Sequence, residues 1–373
     1  MIPFNKPFFI GKEIEYIKEA VASGKISGDG IFTKKCHALL EGKYGFPKCL
    51  LTTSCTDALE MAAILCNIEP GDEVIVPSYT FVSTVNAFVL RGAKIVFIDS
   101  EDNNPNLDVT LVEKLITAKT KAIVVVHYAG IACDMDVVVE ISKKYNLFLI
   151  EDAAQAIDSY YKGKPLGTFG HFAAFSFHET KNIISGEGGM LVINDLQYVE
   201  RAEIIREKGT NRSKFFRGEV DKYGWVDIGS SFLPSEIIAA FLFAQLEHIE
   251  HIQEKRKTIW KSYFESLKKL EEKGLVDLSF VPTYATNNGH MFFLVTKTSE
   301  ERTALIAFLR KEDILSTFHY LSLHKSEFFN DRVSHLPNSD KYTERLVRLP
   351  FFYEMTTEET KKVTSTVLSF YNN

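Results

Sequence analysis

Leu147-Phe148-Leu149-Ile150-Glu151-Asp152-Ala153-Ala154-Gln155 is an apolar run that ends abruptly in two carboxylates. A strand covered on both faces reads as such a run, and its polar end marks the edge of a sheet. Working outward, similar runs occur at Cys49–Leu51, Glu73–Val76, Ala93–Ile98 and Ala122–Val126, separated by segments with helical spacing. Alternation of this kind predicts βαβ units around a mostly parallel sheet, an α/β fold. Right-handed crossovers then place the loops after the strands along one edge, where open α/β sheets bind ligands. Asp152, Thr52 to Thr56 and Tyr79 to Phe81 all follow such runs, so three strand ends are expected to converge.

Beyond residue 235 the pattern changes. Ser235 to Leu270 is helical in period, with a strand expected at Met291–Val295, a helix at Arg302–Lys311, a strand near Leu315–Phe318 and a closing helix from Glu358. The expected division is a large α/β domain over 1–245 and a smaller α+β domain over 246–373. A chain of 373 residues can fill two such cores.

Charge is modest at −6 and the basic residues are scattered, which argues against nucleic acid as a partner and for a small molecule. No apolar run approaches the roughly 20 residues of a spanning helix, so no membrane partner is expected. Neither a secretion signal nor a disulfide framework is read in the start of the chain or in its 5 cysteines, and the expected location is cytoplasmic. Cys-x-x-Cys pairs are absent, and His248 with His251 reads as a solvated helix face, so no metal is expected.

Chemistry concentrates at four places. Thr53-Ser54-Cys55-Thr56 leads from a strand into a helix, where free amides and hydroxyls bind phosphate, or where Ser and Thr simply cap the helix. Asp152 stands past a buried strand, where a carboxylate is costly unless paired. A protonated pyridine nitrogen is such a partner, and helix capping is the alternative. Gln155 can donate to a phenolic oxygen, while Phe81 and Ala154 can enclose a ring from its two faces. Ser176 and Lys181 lie in Phe175-Ser176-Phe177-His178-Glu179-Thr180-Lys181-Asn182, between two buried strands. A lysine near a cation in a partly dry pocket has its pKa lowered, as Schiff-base chemistry and proton shuttling require. The combination points to pyridoxal phosphate, with Lys181 and Asp152 catalytic.

With these residues in place the chain resembles the DegT/DnrJ/EryC1/StrS sugar aminotransferases, a branch of the fold type I, aspartate aminotransferase-like enzymes. The likeness runs nearly end to end. It is carried by Ile2-Pro3-Phe4, Gly71 to Ser78, Glu151 to Gln155, Phe175 to Asn182 and Glu187-Gly188-Gly189. It implies a pyridoxal phosphate-dependent transaminase and a homodimer with shared active sites. Relatives carry an asparagine that reaches the partner's cofactor phosphate; here the matching stretch is Ser230 to Ser235, and Ser231 is the candidate replacement. Segments 126–130, 206–213, 215–218 and 348–353 carry a closer likeness. It implies transfer from L-glutamate to dTDP-4-keto-6-deoxy-D-glucose, giving the 4-amino-4,6-dideoxygalactose nucleotide for a surface polysaccharide of the enterobacterial common antigen type. Arg212, Arg217, His319 and Tyr320 are candidates for substrate contacts or for surface and packing roles. The gluco epimer and a 3-keto acceptor remain open, as does a non-catalytic ligand sensor on the same fold. A nucleotide-binding oxidoreductase is disfavoured because no complete glycine fingerprint follows a strand.

Overall fold

The apolar runs become strands in a computed structural model, which describes residues 1–329 and 335–372, and all are largely buried but the edge strand over Lys94–Ile98. Helices α1 (Glu13–Ala22) and α2 (Ile31–Tyr44) precede β1 (Cys49–Thr52) and α3 (Cys55–Leu65). Then follow β2 (Glu73–Pro77), α4 (Val82–Val89), β3 (Lys94–Ile98), short α5 (Val112–Leu115), β4 (Thr120–Val126), α6 (Met135–Tyr145) and β5 (Phe148–Asp152). A small hairpin, β6 (Tyr160–Tyr161) and β7 (Lys164–Pro165), leads to β8 (Phe172–Ser176) and β9 (Gly189–Ile193). These build a 7-stranded sheet in the order β1-β9-β8-β5-β4-β2-β3. Parallel pairing joins β3, β2, β4, β5 and β8, while β9 runs antiparallel to both β8 and β1. Six strands therefore point one way, and their C-terminal ends share one edge.

Local sequence explains where elements stop. Ser54 caps α3 by accepting the Asp57 N–H at 3.0 Å, and Asn146 ends α6 in the left-handed region at φ 52°. Asp152 is the last residue of β5, in register with Ala174 of β8. Gly189 permits a close approach: a Cβ there would lie 2.3 Å from the backbone carbon of Ser54. The start of α3 is thereby seated directly on β9.

After α7 (Val199–Arg206) and short α8 (Arg212–Phe216), the helical stretch from residue 235 proves to be two helices. These are α9 (Glu236–Leu246) and α10 (Ile249–Glu272), interrupted at Glu247 and His248. Helix α9 is apolar on nearly every side because it is packed within the core against α1 and α2. Its first residue, Glu236, is fully buried and accepts the N–H groups of Gly30, Phe32 and Thr33 at 2.9, 2.8 and 3.2 Å. One carboxylate thus satisfies the start of α2. Glu236→Ala is expected to lower stability by about 3 kcal/mol, read by urea unfolding, because buried donors are left unpaired.

A second sheet of 3 strands follows: β10 (Asp277–Leu278), β11 (Phe293–Val295) and β12 (Leu346–Arg348), all antiparallel. Helices α11 (Ser299–Lys311), α12 (Pro337–Arg345) and α13 (Thr357–Asn372) complete the region. The strand expected near Leu315–Phe318 does not form; only Thr317 makes an isolated bridge, to Arg348. Leu346–Arg348 takes the place beside β11, because its alternate residues fill the cluster containing Val347, Phe292 and Leu294. Ile2 also belongs to that cluster and pairs with Ile314, so the first residues cross the expected division at 245.

Candidate active site

The strand ends open on a cavity of about 590 Å³. From the sheet come Ser54, Cys55 and Thr56 after β1, Thr80 and Phe81 after β2, Asp152 at the end of β5 with Ala154 beyond it, and Ser176 at the end of β8 with Lys181 beyond it. Residues 318–320 and Arg348 close it from the smaller region. Three loops expected to meet therefore do meet.

Lys181 sits in the turn between β8 and β9. Hydrogen bonds Phe177 N–H to Gly188 O, Glu179 N–H to Gly186 O and Lys181 N–H to His178 O, at 2.8 to 2.9 Å, fold this turn into a closed loop. Asn182, the next residue, anchors it by donating to Gln253 Oε1 and Asn288 O, each at 2.9 Å. Burial pushes the Lys181 ammonium below the ordinary lysine range, opposed by Cys55 and Asp152 and aided by Arg348. With a depressed pKa, the free amine accumulates as pH rises. The donor half-reaction is accordingly expected to reach its plateau below the ordinary lysine value of about 10.4, checked by stopped-flow absorbance across pH.

Asp152 is buried and accepts from Thr84 Oγ1 at 2.6 Å and from the Ala154 N–H at 3.1 Å. Burial raises its pKa, more than Thr84, Ala154 and Lys181 pull it down. A carboxylate in that position calls for a cationic N–H partner. Its neighbour Glu151 differs. Burial raises its pKa, but His127 and the N–H groups of Gly170 and Gly167 outweigh this and hold it low. Glu151 is thus the anchor of the 167–170 turn.

Gln155 Oε1 accepts the Ala129 N–H at 2.6 Å, which fixes the amide and leaves Nε2 as donor, here to Tyr320 Oη at 3.0 Å. Tyr320 has φ 46° and stands 6.0 Å from the Phe81 ring and 5.8 Å from Tyr79. His319 Nδ1 meets Tyr128 Oη at 2.7 Å. Both substrate candidates from this stretch lie in the cavity.

Other expected residues lie elsewhere. Thr53 does not line the cavity; its hydroxyl donates to the Asp57 carboxylate and its N–H to Phe232 O. Arg212 faces Glu207 at 3.7 Å and the Phe216 ring at 5.1 Å, and Arg217 is neutralised by Glu203 at 2.8 Å and Glu219 at 2.6 Å. Each arginine is satisfied by its own neighbours outside the cavity. Ser231 is exposed, bridged to Glu207, and also outside the cavity of this chain.

Sequence reasoning gave no site role to Thr84, His290 or Arg348. Only the pairing of β12 with β11 brings Arg348 to the cavity. Its guanidinium lies 4.8 Å over the Phe4 ring and meets no carboxylate among the described residues. No local signal marks such a residue.

The donor set fits pyridoxal phosphate: an amide-rich helix start with Ser176 for the phosphate, Asp152 for the ring nitrogen, Gln155 for the phenolic oxygen and Lys181 for the aldehyde. A buried lysine with a lowered pKa and a buried carboxylate in one cavity are what an aminotransferase using this cofactor needs. The model of the DegT/DnrJ/EryC1/StrS aminotransferase family matches residues 9–368, and the chain belongs to that family. The GDP-perosamine synthase of Escherichia coli O157:H7 is 32% identical over 100% of this chain and 99% of that protein. Among solved structures, the aminotransferase TlmJ from Streptoalloteichus hindustanus superposes with a TM-score of 0.92 at 26% identity, covering 100% of this chain and 99% of that one. Spr1654 from Streptococcus pneumoniae, described as a sugar aminotransferase and solved in PMP and PLP forms, gives 0.91 in its PMP form, with 26% identity and coverage of 100% and 99%.

Among the described residues no helix is long and apolar enough to cross a membrane.

Proposed function

We propose that this enzyme moves the amino group of L-glutamate to C4 of a nucleotide-linked 4-keto-6-deoxyhexose. The observation that carries the reading is the single cavity shared by Lys181, Asp152 and the start of α3. Pyridoxal phosphate, when bound there, supplies an electron-accepting ring and a carbon that carries the amino group between donor and acceptor. Lys181 would be the residue that holds that carbon, and its free amine would serve as base and acid toward the substrate carbon. Asp152 would keep the ring nitrogen protonated, with Thr84 orienting the carboxylate. The N–H groups of Cys55 and Thr56, with Ser54 and Ser176, hold the phosphate. Phe81 and Ala154 enclose the ring, and Gln155 donates to its phenolic oxygen.

Arg348 supports an amino-acid donor, since a guanidinium without a carboxylate partner in the protein is matched by the carboxylate of the donor. Arg348→Gln is expected to raise the KM for L-glutamate on the order of 100-fold while sparing the KM for the sugar, as steady-state kinetics would read. Donor and acceptor use one cavity in turn, so initial-rate plots should be parallel. Intersecting lines would refute the scheme.

For the acceptor, the segments 126–130, 206–213, 215–218 and 348–353 favour dTDP-4-keto-6-deoxyglucose and the galacto product. A GDP-linked acceptor is the second reading, favoured by the 32% identity to the GDP-perosamine synthase. Incubation with L-glutamate and each nucleotide sugar, followed by NMR of the product, separates them. A small H3–H4 coupling marks the axial amine of the galacto product; a large one marks the gluco epimer. The assembly proposed is a homodimer, with exposed Phe215, Phe216, Trp225 and Ile228 as apolar surface to cover and Ser231 reaching the partner's phosphate. Sedimentation equilibrium tests it.

A further inference from the structure

Behind the Lys181 loop lies a fully buried polar network that none of the steps above uses. Asn288 Nδ2 donates to Gln155 O and Ile157 O, both at 2.8 Å, and its Oδ1 accepts the His290 N–H at 3.0 Å. Gln253 Nε2 donates to Ile157 O at 3.3 Å, which leaves Gln253 Oε1 as an acceptor. Asn182 Nδ2 must be the donor to that oxygen and to Asn288 O, so Asn182 Oδ1 is the acceptor facing His290 Nδ1 at 2.8 Å. The proton of His290 is therefore on Nδ1.

That assignment has a consequence at the cavity. His290 is 4% exposed and lines the cavity beside Lys181. Burial, with Lys181, Arg348 and Arg256 close by, pushes the imidazole well below its ordinary pKa, so it stays neutral. A neutral ring protonated on Nδ1 leaves Nε2 with a lone pair and no N–H, and no protein group among the described residues donates to it. The charged groups that act on it from the cavity, Lys181 and Arg348, are both cations. Nε2 is a built acceptor without a donor.

We infer that His290 Nε2 accepts a hydrogen bond from the acceptor sugar's hydroxyl on the carbon adjoining the reacting ketone. The inference rests on the proposed acceptor class. In a 4-keto-6-deoxyhexose the carbons flanking C4 are C3, which bears a hydroxyl, and C5, which bears a methyl group and a hydrogen. The hydroxyl in question is therefore that on C3. A site built around such a hydroxyl rejects the analogue that lacks it, because the acceptor is then buried unpaired. His290 is thus a specificity-determining residue, with Asn182 positioning it.

Two measurements test this. In protein labelled with 15N-histidine, Nδ1 of His290 should carry the proton and Nε2 should resonate as an unprotonated nitrogen. Its shift should move toward the hydrogen-bonded range when the keto-sugar nucleotide is added to the PLP form, which cannot aminate it. Protonation on Nε2, or no response to the sugar, would overturn the inference. In kinetics, the wild type should disfavour the 3-deoxy acceptor on the order of 10- to 100-fold in kcat/KM. His290→Leu should erase that preference, read as the ratio of kcat/KM for the two acceptors within the variant, and His290→Gln, whose Oε1 can stand near Nε2, should restore part of it. Equal use of the 3-deoxy sugar by the wild type would sink the inference alone. Failure to aminate any 4-keto sugar, from protein that still converts glutamate, would sink the proposed acceptor class first. If His290→Leu does not fold, the nitrogen shifts and the wild-type 3-deoxy comparison still decide.

Discussion

Lys181→Ala should retain pyridoxal phosphate but lose turnover by roughly 10⁴-fold or more, because the proposed general base and covalent anchor go together. The loss should appear in both half-reactions, followed separately by absorbance with L-glutamate and with the keto sugar. Borohydride should then fail to fix the cofactor to the chain. Lys181→Arg separates charge from chemistry. It keeps a cation in a cavity that already holds Arg348, but offers no amine that can lose its proton. Equal inactivity of the two variants would identify the free amine as the essential feature, and near-normal activity in either would remove Lys181 from its role. A second effect follows from its neighbours. Asp152 favours the charged form of Lys181 and Arg348 disfavours it, so removing the arginine should move the rising limb of the donor half-reaction to higher pH and removing the carboxylate should move it to lower pH.

Asp152→Asn should bind cofactor and slow proton abstraction by about 10² to 10⁴-fold, since the ring nitrogen loses the anion that keeps it protonated. The structure adds a graded control. Thr84 donates to Asp152 at 2.6 Å without lining the cavity, so Thr84→Val should leave the carboxylate in place but less oriented. About a tenfold loss in the glutamate half-reaction is expected there, with the cofactor affinity little changed. A deuterium isotope effect at the donor Cα should persist in both variants if proton transfer limits the rate. An unchanged rate in Asp152→Asn would assign this buried carboxylate to the fold and not to the chemistry.

Much of the large sheet was legible because each strand is a short apolar run bounded by turn residues, a pattern that depends only on neighbours in the chain. The same holds for the residues just past those strands. Lys181, Asp152, Gln155, Ser176, Ser54, Cys55, Thr56, Phe81 and Ala154 all line one cavity, because the shared direction of parallel strands carries their loops to a common edge. Thr53 was misplaced by a single position. The hydroxyl of the residue before the Ser54 cap turns to Asp57, a local competition that a motif does not reveal.

The smaller region was read less well. A strand was expected at Leu315–Phe318, yet Leu346–Arg348 pairs with β11, since the choice between two short apolar stretches is made by which one fills the remote cluster around Phe292 and Leu294. Arg212 and Arg217 stood out in sequence as charges near a site, and carboxylates within reach on the same surface consumed them. Conversely, nothing local distinguishes Arg348 or His290 from other residues of their kind.

By itself, the sequence determined the parallel-strand architecture and the chemistry at the strand ends, because periodicity and strand direction are properties of contiguous chain. Tertiary structure alone decided which distant groups share that cavity and in what state. The lowered pKa of Lys181, the lone pair of His290 and the unpaired charge of Arg348 all involve residues more than 100 positions away, and electrostatics acts through space without regard to sequence distance.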